Sequence, residues 1–252
     1  IFKINIKMKL LILAAGSGTR LGDLTEFIPK SLVEINNKTI LERQMNIFQK
    51  FQKNNVIVIA GPNKDKFSKF NVEIFEDLEY NKHEQLGSLI SINRYFDEDV
   101  IVIFSDIIFD EKIFQDIINI KCDIGIALDK NWKKNYTNRT EHPISQADLV
   151  KIKNNRIIEI KKNLEDEDTS EFIGILKFSS TGWKTLIDTC RELQNNNRKF
   201  HSAKSFQMAF ITDMIQEFID SNRDVKPIFV EGSWLEIDTL QDLNIAKKKL
   251  RD

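Results

Sequence analysis

The chain has 252 residues, 37 basic and 38 acidic side chains and a formal net charge of −1. That length buries a full core, and the even charge balance excludes a global field for nucleic acid or an anionic membrane. Cys122 and Cys190 make no metal spacing and no disulfide framework, so they read as free thiols in a reducing cytoplasm. No apolar run approaches the ~18 residues of a membrane span. The N-terminus (IFKINIKMKLLILAAG) has lysines before apolar residues, as signal peptides do, but cleavage there would remove the glycine loop that follows. Met8 is one candidate start, with residues 1–7 as an extension.

In chain order, Leu10–Leu13 predicts a buried strand that ends in a small-residue loop. Helical spacing runs from Thr39, a candidate N-cap, to Phe51. Val56–Ala60, Val72–Phe75, Val100–Phe104 and Asp123–Leu128 read as strands, with helices at Leu86–Phe96 and Glu111–Asn119 between them. This alternation predicts an α/β, Rossmann-like mixed sheet, mostly parallel, with helices on both faces. Asp129–Asp148 is long and polar for a connection, which marks it as functional. Leu149–Ile152 and Ile157–Ile160 flank Asn154-Asn155 and predict a hairpin on a type I′ turn. The run Glu165–Asp168 reads as a solvated turn. Strands Phe172–Phe178 and Lys226–Val230, helices Thr181–Gln194 and Phe206–Ile219, and a last helix from Thr239 complete the chain. The simplest organisation is one domain over residues 1–252, with an insertion-like region over about 129–180 within it.

The loop after the first strand carries the chemistry. Ala14, Ala15, Gly16 and Gly18 let backbone approach a ligand closely, and successive N–H groups converge on anionic oxygens. Arg20 and Lys30 follow as cations, a set that suits a polyphosphate. A Walker A loop is absent, and Gly16, Gly18 and Gly22 are spaced one residue too widely for a dinucleotide fingerprint. The whole pattern LAAGSGTRL…LT…PKSLVEI resembles the signature of bacterial nucleotidyltransferases that build sugar nucleotides and CDP-activated small molecules. On that resemblance Leu13, Ala14, Ala15, Gly16, Ser17, Gly18 and Thr19 hold an NTP, with Arg20 and Lys30 as charged ligands.

Asp106 lies past the carboxyl end of a buried strand, where open α/β sheets bind ligands. Asp238, in WLEIDT, opens the last helix and has a plain alternative role as its cap. The resemblance implies that both aspartates bind Mg²⁺, which takes few protein carboxylates. It also places Glu84-Gln85-Leu86-Gly87-Ser88, with Gly87 and Ser88 as contacts, near base and ribose. The Ala-Ala-Gly loop is similar to the CTP-using branch, although the paired asparagines expected of choline-phosphate enzymes are absent.

The spacing D-x-x-W-x-x-x-Y-x-x-R-x-x-H-P, from Asp129 through Trp132, Tyr136, Arg139 and His142 to Pro143, resembles the phosphonate and phosphoglutamine cytidylyltransferases. Arg139 is expected to clamp the attacking phosphate, with Lys133 or Lys134 adding positive potential. Trp132 and Tyr136 are expected to wall the pocket, or else one of them packs against the hairpin. His142 reads as an acceptor-site residue or a loop hydrogen-bonder, and Lys162 as a further cation for the α-phosphate or the acceptor, or else as one of a solvated pair with Lys161. Glu171, Asp129 and Glu236 are candidate counter-charges for an acceptor amine.

The implied reaction is attack of an acceptor phosphate or phosphonate oxygen on the α-phosphorus of CTP, with pyrophosphate leaving. The nucleophile is already an anion, so alignment and charge neutralisation suffice. L-Glutamine phosphate is the first expected acceptor, for capsule decoration, before 2-aminoethylphosphonate and phosphocholine. The alternatives are a sugar-1-phosphate nucleotidyltransferase using UTP, TTP or GTP, and an inactive nucleotide-binding regulatory subunit. Intact Arg20, Lys30, Asp106 and Asp238 argue against the last. Oligomeric state is left open, a homodimer among the options.

Overall fold

The computed structural model describes residues 7–16, 18–51, 55–166, 168–195 and 199–250. In chain order its elements are β1 (Met8–Ala14), β2 (Glu34–Ile35), β3 (Lys38–Thr39), α1 (Ile40–Phe48), β4 (Val56–Ala60), β5 (Glu73–Glu76), α2 (Gln85–Ser91) and β6 (Asp99–Phe104). Then come β7 (Ile107–Phe109), α3 (Glu111–Asn119), β8 (Ile124–Asp129), β9 (Asp148–Lys153), β10 (Arg156–Lys162) and β11 (Thr169–Phe178). α4 (Ser180–Leu193), α5 (Ile211–Asp220), β12 (Val225–Phe229), β13 (Trp234–Glu236) and α6 (Leu240–Lys249) follow.

Parallel pairing of β5, β4, β1 and β6 forms half of the main sheet. The long strand β11 runs antiparallel to β6 and β8, and β12 adds to β8 in parallel. Side chains alternate across β1. Leu11 faces the layer of α2, α4 and α5, whereas Leu10 and Ile12 face α1 and α3. Both layers are needed because β4 and β6 are apolar throughout their centres, as doubly covered parallel strands must be. The carboxyl ends of β1, β6 and β8 therefore meet at one edge, and the start of β11 joins them there.

Hairpin β9–β10 leaves that edge through the first three residues of β11. Its turn residues Asn154 and Asn155 have φ of 51° and 60°, as a type I′ turn requires. α1 is closed by Thr39, whose side chain accepts from the Glu42 N–H while Glu42 returns to the Thr39 N–H.

Three elements depart from expectation. α2 stops at Ser91, and Asn93 turns left-handed at φ 42°, so residues 92–96 are not helical. The helix expected over Phe206–Ile219 begins only at Ile211, because the carbonyls of Gln207 and Ala209 accept from the N–H groups of Glu84 and Leu86. Residues 206–210 thus hold the start of α2 rather than a helix of their own. The ribbon of β7 and β13 is the third, each strand too short to register as a periodic signal.

Candidate active site

Asp106 and Asp238 lie at matched ends of the β7–β13 ribbon. Glu236 pairs with Ile107, and the Ile237 N–H donates to the Asp106 carbonyl at 3.0 Å. Buried Gln44 supports the approach by donating to the carbonyls of Phe104 and Ile107 at 2.9 and 2.8 Å. Lys30 then reaches both carboxylates, Asp106 Oδ2 at 2.7 Å and Asp238 Oδ1 more closely still. Arg20 contacts Asp238 Oδ2 at 2.8 Å. Burial opposes the charge on Lys30, but the two aspartates outweigh it and hold the ammonium above its ordinary value. Burial likewise opposes the Asp238 charge, while His142, Lys30 and Arg20 together hold the carboxyl well below the usual range.

The loop that delivers Lys30 depends on Gly18. Its φ is 63°, its carbonyl accepts from Thr25 Oγ1 at 2.8 Å, and an added Cβ would stand 3.2 Å from the Lys30 Cβ. A cleft of about 540 Å³ opens in front of it, lined by Leu13, Ala15, Gly16, Gly18, Thr19 and the two cations. Glu84, Gln85 and Ser88 of the α2 segment form its opposite wall. Ala14 turns into the core instead, being the next residue of the alternating strand. Gly87 lies under His83, which leaves no room for a Cβ, and outside the cleft's lining. Ser88 Oγ donates to Asp77 at 2.8 Å. Ser17 lies outside the described residues.

A second cavity, of about 630 Å³, lies on the hairpin side and shares Arg20, Gln85, Phe104, Asp106 and Asp238 with the first. His142 is buried at this junction, its Nδ1 3.1 Å from Asp238 and its Nε2 3.4 Å from Glu236. Glu236 is pushed up to about 7 by burial and by the neighbouring charges of Asp238 and Asp106.

The other residues expected in the acceptor region stand behind this wall. Arg139 is buried, donating to Asp242 at 2.6 Å and Glu236 at 3.1 Å with its guanidinium 5.3 Å from the Tyr136 ring. It is therefore occupied by protein carboxylates rather than extended towards a phosphate. Trp132 does not wall the cavity: it packs with Tyr136, Ala147 and Leu149 and donates to the Thr169 carbonyl at 3.0 Å. Tyr136 donates its hydroxyl to buried Glu171, and burial pushes both groups' titration upward. Asp129 accepts from Trp234 Nε1 at 2.9 Å. Glu171 and Asp129 line neither cavity, whereas Lys162 does line the second.

The MobA-like NTP transferase domain family matches residues 10–131, which hold the glycine loop, Lys30 and Asp106. Among curated relatives, the CTP:phosphoglutamine cytidylyltransferase of Campylobacter jejuni is 29% identical over 96% of this chain and 100% of its own. The choline-phosphate cytidylyltransferase of Streptococcus pneumoniae is 35% identical, over 34% of this chain and 40% of its own. These likenesses, which take in the glycine loop, Lys30 and Asp106, indicate a nucleotidyltransferase similar to the cytidylyltransferases. The solved CTP:phosphocholine cytidylyltransferase of S. pneumoniae superposes with a TM-score of 0.73 at 24% identity, covering 98% of this chain and 100% of that one, which shows the shared fold.

The two cavities give the glycine-loop cleft a second face, lined by the hairpin and meeting it at Arg20, Asp106 and Asp238. Sequence reading missed Asp148 and Asp242. Asp148 looks like the end of a polar connector, although it starts β9 and lines the second cavity. Asp242 had a signal: T-x-x-D is a capping-box spacing, and Asp242 accepts from both N–H and Oγ1 of Thr239 at 2.9 Å. Thr239 is thus the cap of α6, and Asp238 is not.

Proposed function

We propose that the protein transfers CMP from CTP to the phosphate of a small acceptor, with L-glutamine phosphate first, and releases pyrophosphate. The observation that carries this reading is the junction of two cavities at Arg20, Asp106 and Asp238. A triphosphate in the glycine-loop cleft places its α-phosphorus near that junction, and an acceptor in the second cavity approaches from the other side. The full-length likeness to a CTP:phosphoglutamine cytidylyltransferase supports CTP and this acceptor. Phosphocholine is less well served, since Trp132 and Tyr136 are buried and Phe104 and Phe210 alone do not form an aromatic cage.

Asp106 and Asp238 fit Mg²⁺ as hard oxygen donors, and Asp106 Oδ1 is buried without a hydrogen-bond partner among the described residues. When bound, the ion would neutralise charge on the α-phosphate and leaving group. Loop N–H groups, Arg20 and Lys30 would bind and orient the triphosphate, an electrostatic role that needs no proton transfer. Arg139 would act as a positioning residue, fixing Glu236 and Asp242 around the junction.

On this reading residues 1–252 act as one nucleotidyltransferase domain in the cytoplasm, supplying a CDP-linked intermediate for capsule decoration. No described helix is long and apolar enough to cross a membrane. Pyrophosphate release is the test, with CTP, UTP, TTP, GTP and ATP each offered glutamine phosphate, 2-aminoethylphosphonate, phosphocholine and glucose-1-phosphate in Mg²⁺. CTP-dependent turnover with glutamine phosphate is expected. Turnover only with UTP, TTP or GTP and the sugar phosphate overturns the reading, as does nucleotide binding with no pyrophosphate from any pair.

A further inference from the structure

Most charges around the second cavity are already committed. Lys161 pairs with Glu159 at 2.5 Å, His201 with Glu217 at 2.8 Å, and Asp213 accepts from Ser202 and from the Phe210 N–H at the head of α5. Glu236, His142 and Asp238 belong to the junction. Asp148 and Lys162 remain. Asp148 has no side-chain hydrogen bond or ion pair among the described residues, and Lys162 has the neutral Gln146 Oε1 at 3.1 Å.

These two are direct cross-strand partners of the β9–β10 hairpin, and both face the cavity. Side chains of opposed residues start about 5 Å apart, a gap that a single carbon bearing an ammonium and a carboxylate can bridge. We propose that Asp148 and Lys162 read the α-amino acid head of the acceptor, Asp148 taking its ammonium and Lys162 its carboxylate. This inference rests on the second cavity being the acceptor's. It assigns the amine to a residue other than Glu171 and Asp129, which line neither cavity, or Glu236, which Arg139 and His142 already hold.

Desolvation supports the assignment: burial pushes the Asp148 carboxyl up to about 6, with Lys162 and His142 working against that rise and Asp213 adding to it. A carboxylate held at such cost and left unpaired is suited to a cationic ligand. A sugar phosphate would call for neutral hydroxyl-binding groups at this position rather than two opposite charges.

The test is calorimetric binding of three stable phosphonates to the full chain. 2-Amino-6-phosphonohexanoate carries the whole head, 6-phosphonohexanoate lacks the amine, and 5-aminopentylphosphonate lacks the carboxylate. The wild type is expected to bind the first about ten- to a hundredfold more tightly than either truncated probe. Asp148→Asn should erase the advantage over the amine-free probe only, and Lys162→Met the advantage over the carboxylate-free probe only. Thermal unfolding checks that both variants fold. Equal wild-type affinities, no binding, or a uniform loss for all three probes in either variant overturns the proposal. Probe discrimination without pyrophosphate release would sink the proposed reaction and leave this site standing, and turnover without discrimination would do the reverse.

Discussion

Replacing Arg139 by alanine separates a structural role from a substrate-binding one. The guanidinium neutralises two carboxylates, Asp242 at 2.6 Å and Glu236 at 3.1 Å, and Asp242 is nearly inaccessible to water. Taking one partner from a buried charge pair costs about 3–5 kcal/mol, because the other is left desolvated without compensation. Against a total stability of about 5–15 kcal/mol for a domain, that is a large fraction. Urea unfolding should therefore show a much lower midpoint with an unchanged slope. Arg139→Met combined with Asp242→Asn should recover part of the loss, since the more deeply buried of the two carboxylates is then no longer a stranded charge and Glu236 keeps His142 beside it. Asp242 also accepts from the backbone N–H of Asp238 at 3.1 Å, so the alanine variant should lose kcat as well. A variant as stable as the wild type, defective only in acceptor KM, would refute this reasoning and return Arg139 to the role of phosphate clamp.

The other predictions concern single carboxylates. Asp106→Asn and Asp238→Asn should each cut turnover by about a hundredfold or more while circular dichroism stays native, because Lys30 keeps one of its two carboxylate partners; full pyrophosphate release in either variant would remove that residue from the chemistry. Asp148 should make stability fall as pH rises from about 4 to about 6. Burial pushes its carboxyl up to about 6 in the fold, from an ordinary value of 3.8, so the folded chain binds the extra proton in that window. The fall should approach about 3 kcal/mol. Asp148→Asn should flatten that part of the urea-midpoint profile, and a profile parallel to the wild type would contradict the placement.

What the sequence disclosed was mostly local. Apolar strands such as Val56–Ala60 and the capping box at Thr39 appear where periodicity and side-chain chemistry put them. The lining of the glycine-loop cleft was legible for the same reason, because the glycine loop, Arg20 and Lys30 lie within one short stretch beside β1. The lining of the hairpin-side cavity was less so. Trp132, Tyr136 and Arg139 have the residue types of a binding pocket, but their partners Thr169, Glu171 and Asp242 come from distant segments and turn them inward. Nothing in a linear pattern tells a tryptophan that faces a ligand from one that donates to a buried carbonyl.

Asp238 shows how a local ambiguity is resolved by a long-range contact. In I-D-T-L-Q-D either Asp238 or Thr239 is a competent helix cap. Thr239 takes the role because Asp242 accepts from both its N–H and its hydroxyl, and Arg139 fixes Asp242 from the other side. Released from capping, the Asp238 carboxylate turns to Lys30, Arg20 and His142 at the cavity junction. The ribbon of β7 and β13 then places it beside Asp106 without requiring either aspartate to leave its own backbone segment. The helix cap and the paired carboxylates are therefore one structure, and Asp242, which lines neither cavity, decides which side chain caps α6 and which reaches the cavity junction.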